Sequence, residues 1–250
     1  MMKLHFLSFK MFLTFSLGTF AQATLFSQIT DPKATEVWEP EPRKITPVVN
    51  NMPPSDALVL FDGKNMDAWT DLKGNPCPWQ ITENGLTVVP KTGDIKTKKQ
   101  FGDCQIHIEW QAPVVVKGEG QGRGNSGIFL QEIYELQVLD SYDNRTYSNG
   151  QAASIYKQTM PLVNANRKPG EWQVYEIIYK APRFNADGIL TAPPTITVLH
   201  NGVLVQNNTE IKGTTEYIGL PKFKAHEKGS LRLQDHGDLV SFRNIWIREL

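Results

Sequence analysis

The sequence predicts an all-β fold of two antiparallel sheets packed face to face. Three observations carry that expectation. Short segments alternate apolar and polar residues, with turn residues between them, the period-two pattern of strands buried on one face. Asn201-Gly202 separates two such segments. It is the preferred pair for a two-residue type I′ hairpin, where both positions need positive φ. No long segment spaces its apolar residues as a helix would.

Taken in chain order, residues 1–23 read as a secretory signal. Lys3 and Lys10 supply positive charge, 11–20 is an apolar run of ten, and Ala21-Gln22-Ala23 fits a small-x-small cleavage site. The run is too short to span a bilayer. No cysteine follows the cleavage point to carry a lipid, and no later segment is apolar enough to cross a membrane. The expected location is periplasmic or secreted, and an integral membrane protein is not expected. Cleavage would leave 227 residues (250 minus 23), enough for one all-β domain with a substantial core. Six of the sixteen prolines fall in 24–55, which shows no apolar period and reads as an extended leader. The domain is expected over 56–250, opening on the apolar run from Ala57 to Phe61.

Within it, strands are expected at 79–82, 86–89, 104–111, 126–131, 133–139, 172–180, 195–200, 203–207, 230–234 and 239–248. Residues 151–160 fit either a helical turn or another strand. Basic and acidic residues balance at 26 each, and no clustered basic surface points to a nucleic acid. Cys77 and Cys104 are the only cysteines. An even count in an exported chain suggests a disulfide, and closing that loop of 27 positions would contribute roughly 3 kcal/mol. Two buried free thiols are the alternative. Trp110, Trp172 and Trp246 fall in strand segments and are expected in the core; Trp69 and Trp79 lie nearer loops, where one could stack on a sugar ring, but a core role is the better expectation for each.

Three strands share an unusual polar face. His107, Glu109 and Gln111 oppose Ile106, Ile108 and Trp110. Glu135 and Gln137 oppose Tyr134, Leu136 and Val138. Arg232, Gln234 and His236 oppose Leu231 and Leu233. Half-exposed strands are polar outside simply because they meet water, but ordinary outer faces favour Lys and Thr. The expectation is one sheet whose outer face binds something polar. The glycine-rich loop 117–124 lies at its rim, with Arg123 and Asn125 as ligand contacts or as parts of a flexible connection. Gly122 to Gly127 matches G-x-G-x-x-G, yet Ile128-Phe129-Leu130 continues as strand where a dinucleotide site needs a helix. No nucleotide is expected. No Gly-x-Ser-x-Gly, HExxH or EF-hand pattern occurs. A metal site would have to be assembled in space from residues such as Glu135, Asp140 and His236.

Several of these motifs together resemble a known bacterial family. They are Leu60-Phe61-Asp62-Gly63-Lys64 with Trp69, Trp79 with Gly85-Leu86, and Asn125-Ser126-Gly127-Ile128. The series continues through Tyr134-Glu135-Leu136-Gln137-Val138-Leu139-Asp140, Gly170-Glu171-Trp172, Asn201-Gly202, Leu233-Gln234-Asp235-His236-Gly237 and Phe242-Arg243-Asn244-Ile245-Trp246. Their order resembles the 3-keto-disaccharide hydrolase family, also described as 3-keto-glucoside 1,2-lyase and 3-keto-2-hydroxy-glucal hydratase. The resemblance covers 56–250. It implies a concanavalin-like jelly roll with the site on a concave sheet, a sugar substrate bearing a ketone at C3, and a place in the bacterial envelope.

That chemistry sets demands. A C3 ketone acidifies the C2 hydrogen; a base removes it, an enolate forms, and the C1 substituent leaves. Water then adds across the 2-hydroxy-glucal. The protein must supply a base, a partner for the enolate oxygen and an acid. By residue type, Glu135 or His236 suits the base, and Arg123, Arg232 or a bound divalent cation suits the enolate. Asp140 or Glu109 suits the acid or a metal ligand, while Gln137, Gln234 and Asn125 suit sugar hydroxyls. Two other functions compete, a non-catalytic carbohydrate-binding module and a concanavalin-like glycosidase. The glycosidase wants paired carboxylates, and Gln137 stands where a Glu-x-Glu pair would place the second.

Overall fold

The computed structural model describes residues 30–250. The expected signal at 1–23 and the start of the leader, 24–29, lie outside the described residues. Two units divide the chain after Lys44. In the first, residues 30–44 are exposed and hold a 3-10 turn at Pro32–Thr35, capped by the Asp31 carboxylate, which accepts from Lys33 N. The second unit, Ile45–Leu250, takes in the end of the proline-rich stretch and contains every strand among the described residues.

The strands are β1 (Leu58–Phe61), β2 (Trp69–Asp71), β3 (Gln80–Thr82), β4 (Gly85–Thr87), β5 (Ile95–Phe101), β6 (Cys104–Gln111), β7 (Ser126–Leu130), β8 (Tyr134–Val138), β9 (Gln173–Lys180), β10 (Arg183–Phe184), β11 (Leu190–Ala192), β12 (Thr195–His200), β13 (Val203–Glu210), β14 (Gly229–Leu233) and β15 (Ser241–Glu249). One sheet runs β13-β12-β9-β6-β15-β4-β3, with β1 also paired to β15, and the other runs β2-β5-β14-β7-β8; β10 and β11 pair separately. All named pairings are antiparallel. The class is all-β, a jelly-roll sandwich of the concanavalin-like type. The β12–β13 hairpin turns on Asn201 (φ 53°) and Gly202 (φ 80°), as the Asn-Gly pair predicts.

The core lies between the two sheets. Ile106, Ile108, Trp110, Tyr175, Ile177, Ile196 and Val198 face it from the larger sheet. Ile95, Ile128, Leu130, Leu136, Val138, Leu231 and Leu233 face it from the smaller. β2 and β5 do not stand out in the sequence. β5 carries three lysines, and only Ile95, Thr97 and Phe101 turn inward. Residues 152–156 are strand-like: Leu136 bridges Ile155, and Tyr156 N donates to Glu135 O at 3.1 Å. Thr215 also borders β8, its hydroxyl accepting from Glu135 N at 2.9 Å.

Three expectations are corrected. Cys77 and Cys104 are free. Gln80, just after Cys77, shares a cross-sheet row with Thr87, Ser241 and Gln111. Cys104 sits at the other end of β6, about 23 Å from that row at a strand's usual rise, and a disulfide needs Cα atoms within about 7 Å. Second, His107, Glu109 and Gln111 do not share a sheet with Glu135. β6 is central in the larger sheet, and alternation tells which residues share a face but not which sheet owns it. Third, Trp172 is half-exposed and lies under the Arg243 guanidinium at 4.0 Å; Trp69 and Trp79 are buried, as expected of each. Their indole N–H groups explain that burial, donating to Leu60 O at 2.9 Å and Gly93 O at 3.0 Å.

Candidate functional site

Alternation along β8 drives Tyr134, Leu136 and Val138 into the core and leaves Glu135 and Gln137 on the outer face of the smaller sheet. Register extends that face sideways. Lys96 pairs with Arg232, Arg232 with Phe129, and Phe129 with Glu135. Cationic and anionic groups from β5, β14 and β8 therefore line up across one row. The Leu136–Ile155 bridge continues it, placing Tyr156 opposite Glu135 and on the same side. The next row sets Gly127 against Gln137, with Gln234 N donating to Gly127 O at 3.0 Å.

Glu135 is 5% exposed although it stands on an outer face, so its neighbours enclose it. Gly127 makes the room: a Cβ there would lie 2.7 Å from Glu135 Oε1 and 2.9 Å from the Phe129 ring. Burial pushes the Glu135 carboxyl up to about 8; Arg232 pulls the other way and Asp94 adds to the rise. Asp94 is raised as well, chiefly by burial, against its bond from Asp235 N and the nearby Arg232. Arg232 lies over the Phe129 ring at 3.8 Å and 3.5 Å from Asp94. Its Nε, like Gln234 Oε1, is buried without a hydrogen-bond partner. Buried polar atoms are almost always paired, so these two stand out as exceptions beside Glu135. Lys96 is engaged with Glu132 at 3.2 Å.

Gln137 lies 3.1 Å from Glu135 Oε1 and 3.2 Å from Ser126 O. Its amide fits either charge state of Glu135. With the carboxylate ionised, the NH2 donates to it and to Ser126 O. With the carboxyl protonated, the amide oxygen accepts and the NH2 serves Gln121 Oε1 at 3.0 Å. Asn125 is buried beside them and donates to Gln121 O at 2.6 Å. His236 stands on the exposed loop after β14, within electrostatic range of Asp94.

The remaining candidates lie elsewhere. Asp140 is buried, and its carboxylate accepts from Arg123 Nε at 2.7 Å and Tyr142 N at 3.2 Å. Arg123 spends its other nitrogens on the Tyr142 and Asp143 carbonyls. This clamp lines a cleft of about 810 Å³ together with Val114, Val115, Gly237 and Leu239, and the cleft reaches none of Glu135, Gln137, Arg232 or Gln234. Volume alone confers no chemistry, and the enclosed Glu135 with its raised carboxyl beside Arg232 makes the sheet face the candidate site. Glu109, on the outer face of the larger sheet, accepts from Arg243 Nε at 2.7 Å and Asn244 at 3.0 Å, and these bonds, with His107, hold it at about 2 against burial. Among the described residues no group of three or more His, Cys, Asp or Glu gathers to hold a metal.

Asp94, Lys96 and Phe129 escape sequence reasoning, as do Tyr147 and Tyr156 near Glu135 and Lys157 beside those two rings. The Ile95/Thr97 alternation would have exposed the first two. The tyrosines lie in irregular segments without a period.

A profile of the 3-keto-alpha-glucoside-1,2-lyase-like domain matches residues 56–248. The 3-keto-disaccharide hydrolase of Bacteroides thetaiotaomicron is 28% identical, across 77% of this chain and 78% of its own length. A crystal structure from Parabacteroides distasonis, described as a candidate glycosyl hydrolase, is 54% identical with a TM-score of 0.85, covering 88% of this chain and 97% of its own. A second such structure from that organism has a TM-score of 0.58 at 21% identity, over 78% and 94% of the two chains, a likeness of fold. Because the match runs through the whole sandwich, the chain belongs to the 3-keto-alpha-glucoside-1,2-lyase-like domain family.

Proposed function

We propose that this protein acts on glycosides oxidised to a ketone at C3, with Glu135 removing the C2 proton. The observation that carries the reading is a carboxyl buried on a sheet face, pushed up to about 8 and facing a guanidinium. A base poised near neutral pH takes a carbon-bound proton more effectively than an ordinary glutamate. The C2–H electrons pass to the C3 oxygen, where the Arg232 guanidinium, close enough to act on Glu135, offsets the enolate charge. Collapse of the enolate restores the ketone, forms the C1–C2 double bond and expels the C1 oxygen. Gln137 holds the Glu135 carboxylate in place, and the half-buried Gln234 holds a sugar hydroxyl. Addition of water to the 2-hydroxy-glucal completes net hydrolysis. Family membership supports a carbohydrate substrate and hydrolase-type activity. We place the activity outside the cytoplasm on the strength of residues 1–23.

The test incubates the purified protein with a 3-keto-glucoside and with its unoxidised parent. Release of the aglycone from the keto sugar alone is expected, falling at least ~100-fold in Glu135→Gln. Tight sugar binding without turnover would favour the binding-module alternative. Equal cleavage of both sugars would favour a glycosidase.

A further inference from the structure

β-Elimination needs an acid at the departing oxygen, and the two carboxylates suggested by sequence are committed elsewhere. We infer that the Tyr156 hydroxyl, backed by Tyr147, protonates the leaving group; this rests on the lyase reading above. Tyr156 stands directly across from Glu135 on the same face, fixed by the Leu136–Ile155 bridge and the Tyr156 N–H bond to Glu135 O. Directly opposed residues have Cβ atoms about 5 Å apart, so a sugar ring seated between them meets the carboxylate and the phenol at neighbouring carbons.

The second hydroxyl is built in with care. Tyr147 Oη lies 2.6 Å from Tyr156 Oη. Gly150 packs flat on the Tyr147 ring, where any Cβ would collide with it. Lys157, bonded through its N–H to Asn149 O at 2.8 Å, holds its ammonium 5.7 Å from the centres of both rings and 4.2 Å from that of Tyr217. The ammonium also donates to Tyr217 O at 2.6 Å. Burial, with Tyr147 and Glu135 close by, raises the Tyr156 hydroxyl above the ordinary phenol range, so it carries its proton at neutral pH. A positive charge beside the pair offsets a phenolate when one forms.

The step balances. Glu135 gains the C2 proton as the enolate forms; on its collapse the C1–C2 double bond forms and the C1–O1 bond breaks, its electrons going to O1. O1 takes the Tyr156 proton, and Tyr156 recovers one from Tyr147. The proton held on Glu135 returns through solvent to the phenolate, leaving an enone and an alcohol. No oxidant or reductant is required.

The assay compares 3-keto-glucosides carrying 4-nitrophenol, a good leaving group, with the methyl glycoside, a poor one. Tyr156→Phe should slow the methyl substrate at least ~100-fold and the nitrophenyl substrate less than ~5-fold, because a stable phenolate leaves unaided. Tyr147→Phe should show a smaller loss with the same bias, and it decides the matter if Tyr156→Phe does not fold. Equal losses on both substrates, or no loss on the methyl glycoside, would overturn the acid role while leaving the lyase reading intact. A wild-type protein that releases neither alcohol would overturn both.

Discussion

Glu135 is costly to the fold. Its folded value of about 8 stands above the ordinary 4.5, so between those limits the native state holds a proton that the unfolded chain has released. Stability therefore falls as pH rises from about 4.5 to 8 and levels off beyond. Glu135→Gln keeps the shape without that charge. The variant should match wild type in denaturant unfolding below pH 4.5 and exceed it by on the order of 5 kcal/mol above pH 8. A gap that does not widen with pH would show that Glu135 is not buried as described. The same proton governs catalysis, since the base acts only when ionised: kcat/KM should climb through about pH 8 and flatten above it. Gly127 is the residue that admits the carboxylate. Gly127→Ala would put a Cβ 2.7 Å from Glu135 Oε1, and turnover should fall about 100-fold with the sandwich retained by circular dichroism. Alternation along 134–138 and 230–234 made Glu135, Gln137, Arg232 and Gln234 legible from sequence. Nothing local revealed that Glu135 would be enclosed, because its cover comes from Gly127, Phe129 and Tyr156 on other segments.

At the scale of elements, β6 shows what a pattern leaves open. Its alternation is as regular as that of β8, yet it belongs to the opposite sheet, and its polar face does structural work. His107 lies parallel to the Trp246 ring, with centroids 5.3 Å apart, and bonds Glu176 and Asn244. Asn244 reaches it because β15 bulges between Arg243 and Trp246, with Asn244 at φ 46°. Burial opposes a charge on His107, but Glu109 and Glu176 outweigh it and push the imidazole up to about 9. Its contribution to stability is fully present below pH 6.5 and is lost as pH rises through 9. The denaturation midpoints of wild type and His107→Gln should therefore converge between pH 6 and 10. A constant separation would refute the charged network. β5 was illegible for the converse reason. Lysines at 96, 98 and 99 mask a strand whose inward positions are only Ile95, Thr97 and Phe101.

For the whole molecule, the sandwich stands without a covalent link. Cys104 is buried and its thiol is pushed up to about 12, chiefly by burial, which leaves almost no thiolate near neutral pH. A reducing agent should leave Tm unchanged, and Cys77→Ser should do the same; a fall of several degrees on reduction would restore the disulfide expected from an even cysteine count. That expectation misled because pairing depends on which rows of the sheet meet, and count and compartment say nothing of rows. The sandwich as a whole was readable because binary alternation and the Asn-Gly hairpin report sheet formation directly, while the division of strands between sheets depends on long-range pairing. In the proposed reaction, bond cleavage begins with loss of the C2 hydrogen to Glu135. It is tested most directly with a 3-keto-glucoside deuterated at C2, following the label in the released sugar by mass spectrometry at early times. Wild type should release sugar stripped of its deuterium, and Glu135→Gln should neither cleave nor exchange. Released sugar that keeps its label would mean direct displacement at C1 and would contradict it.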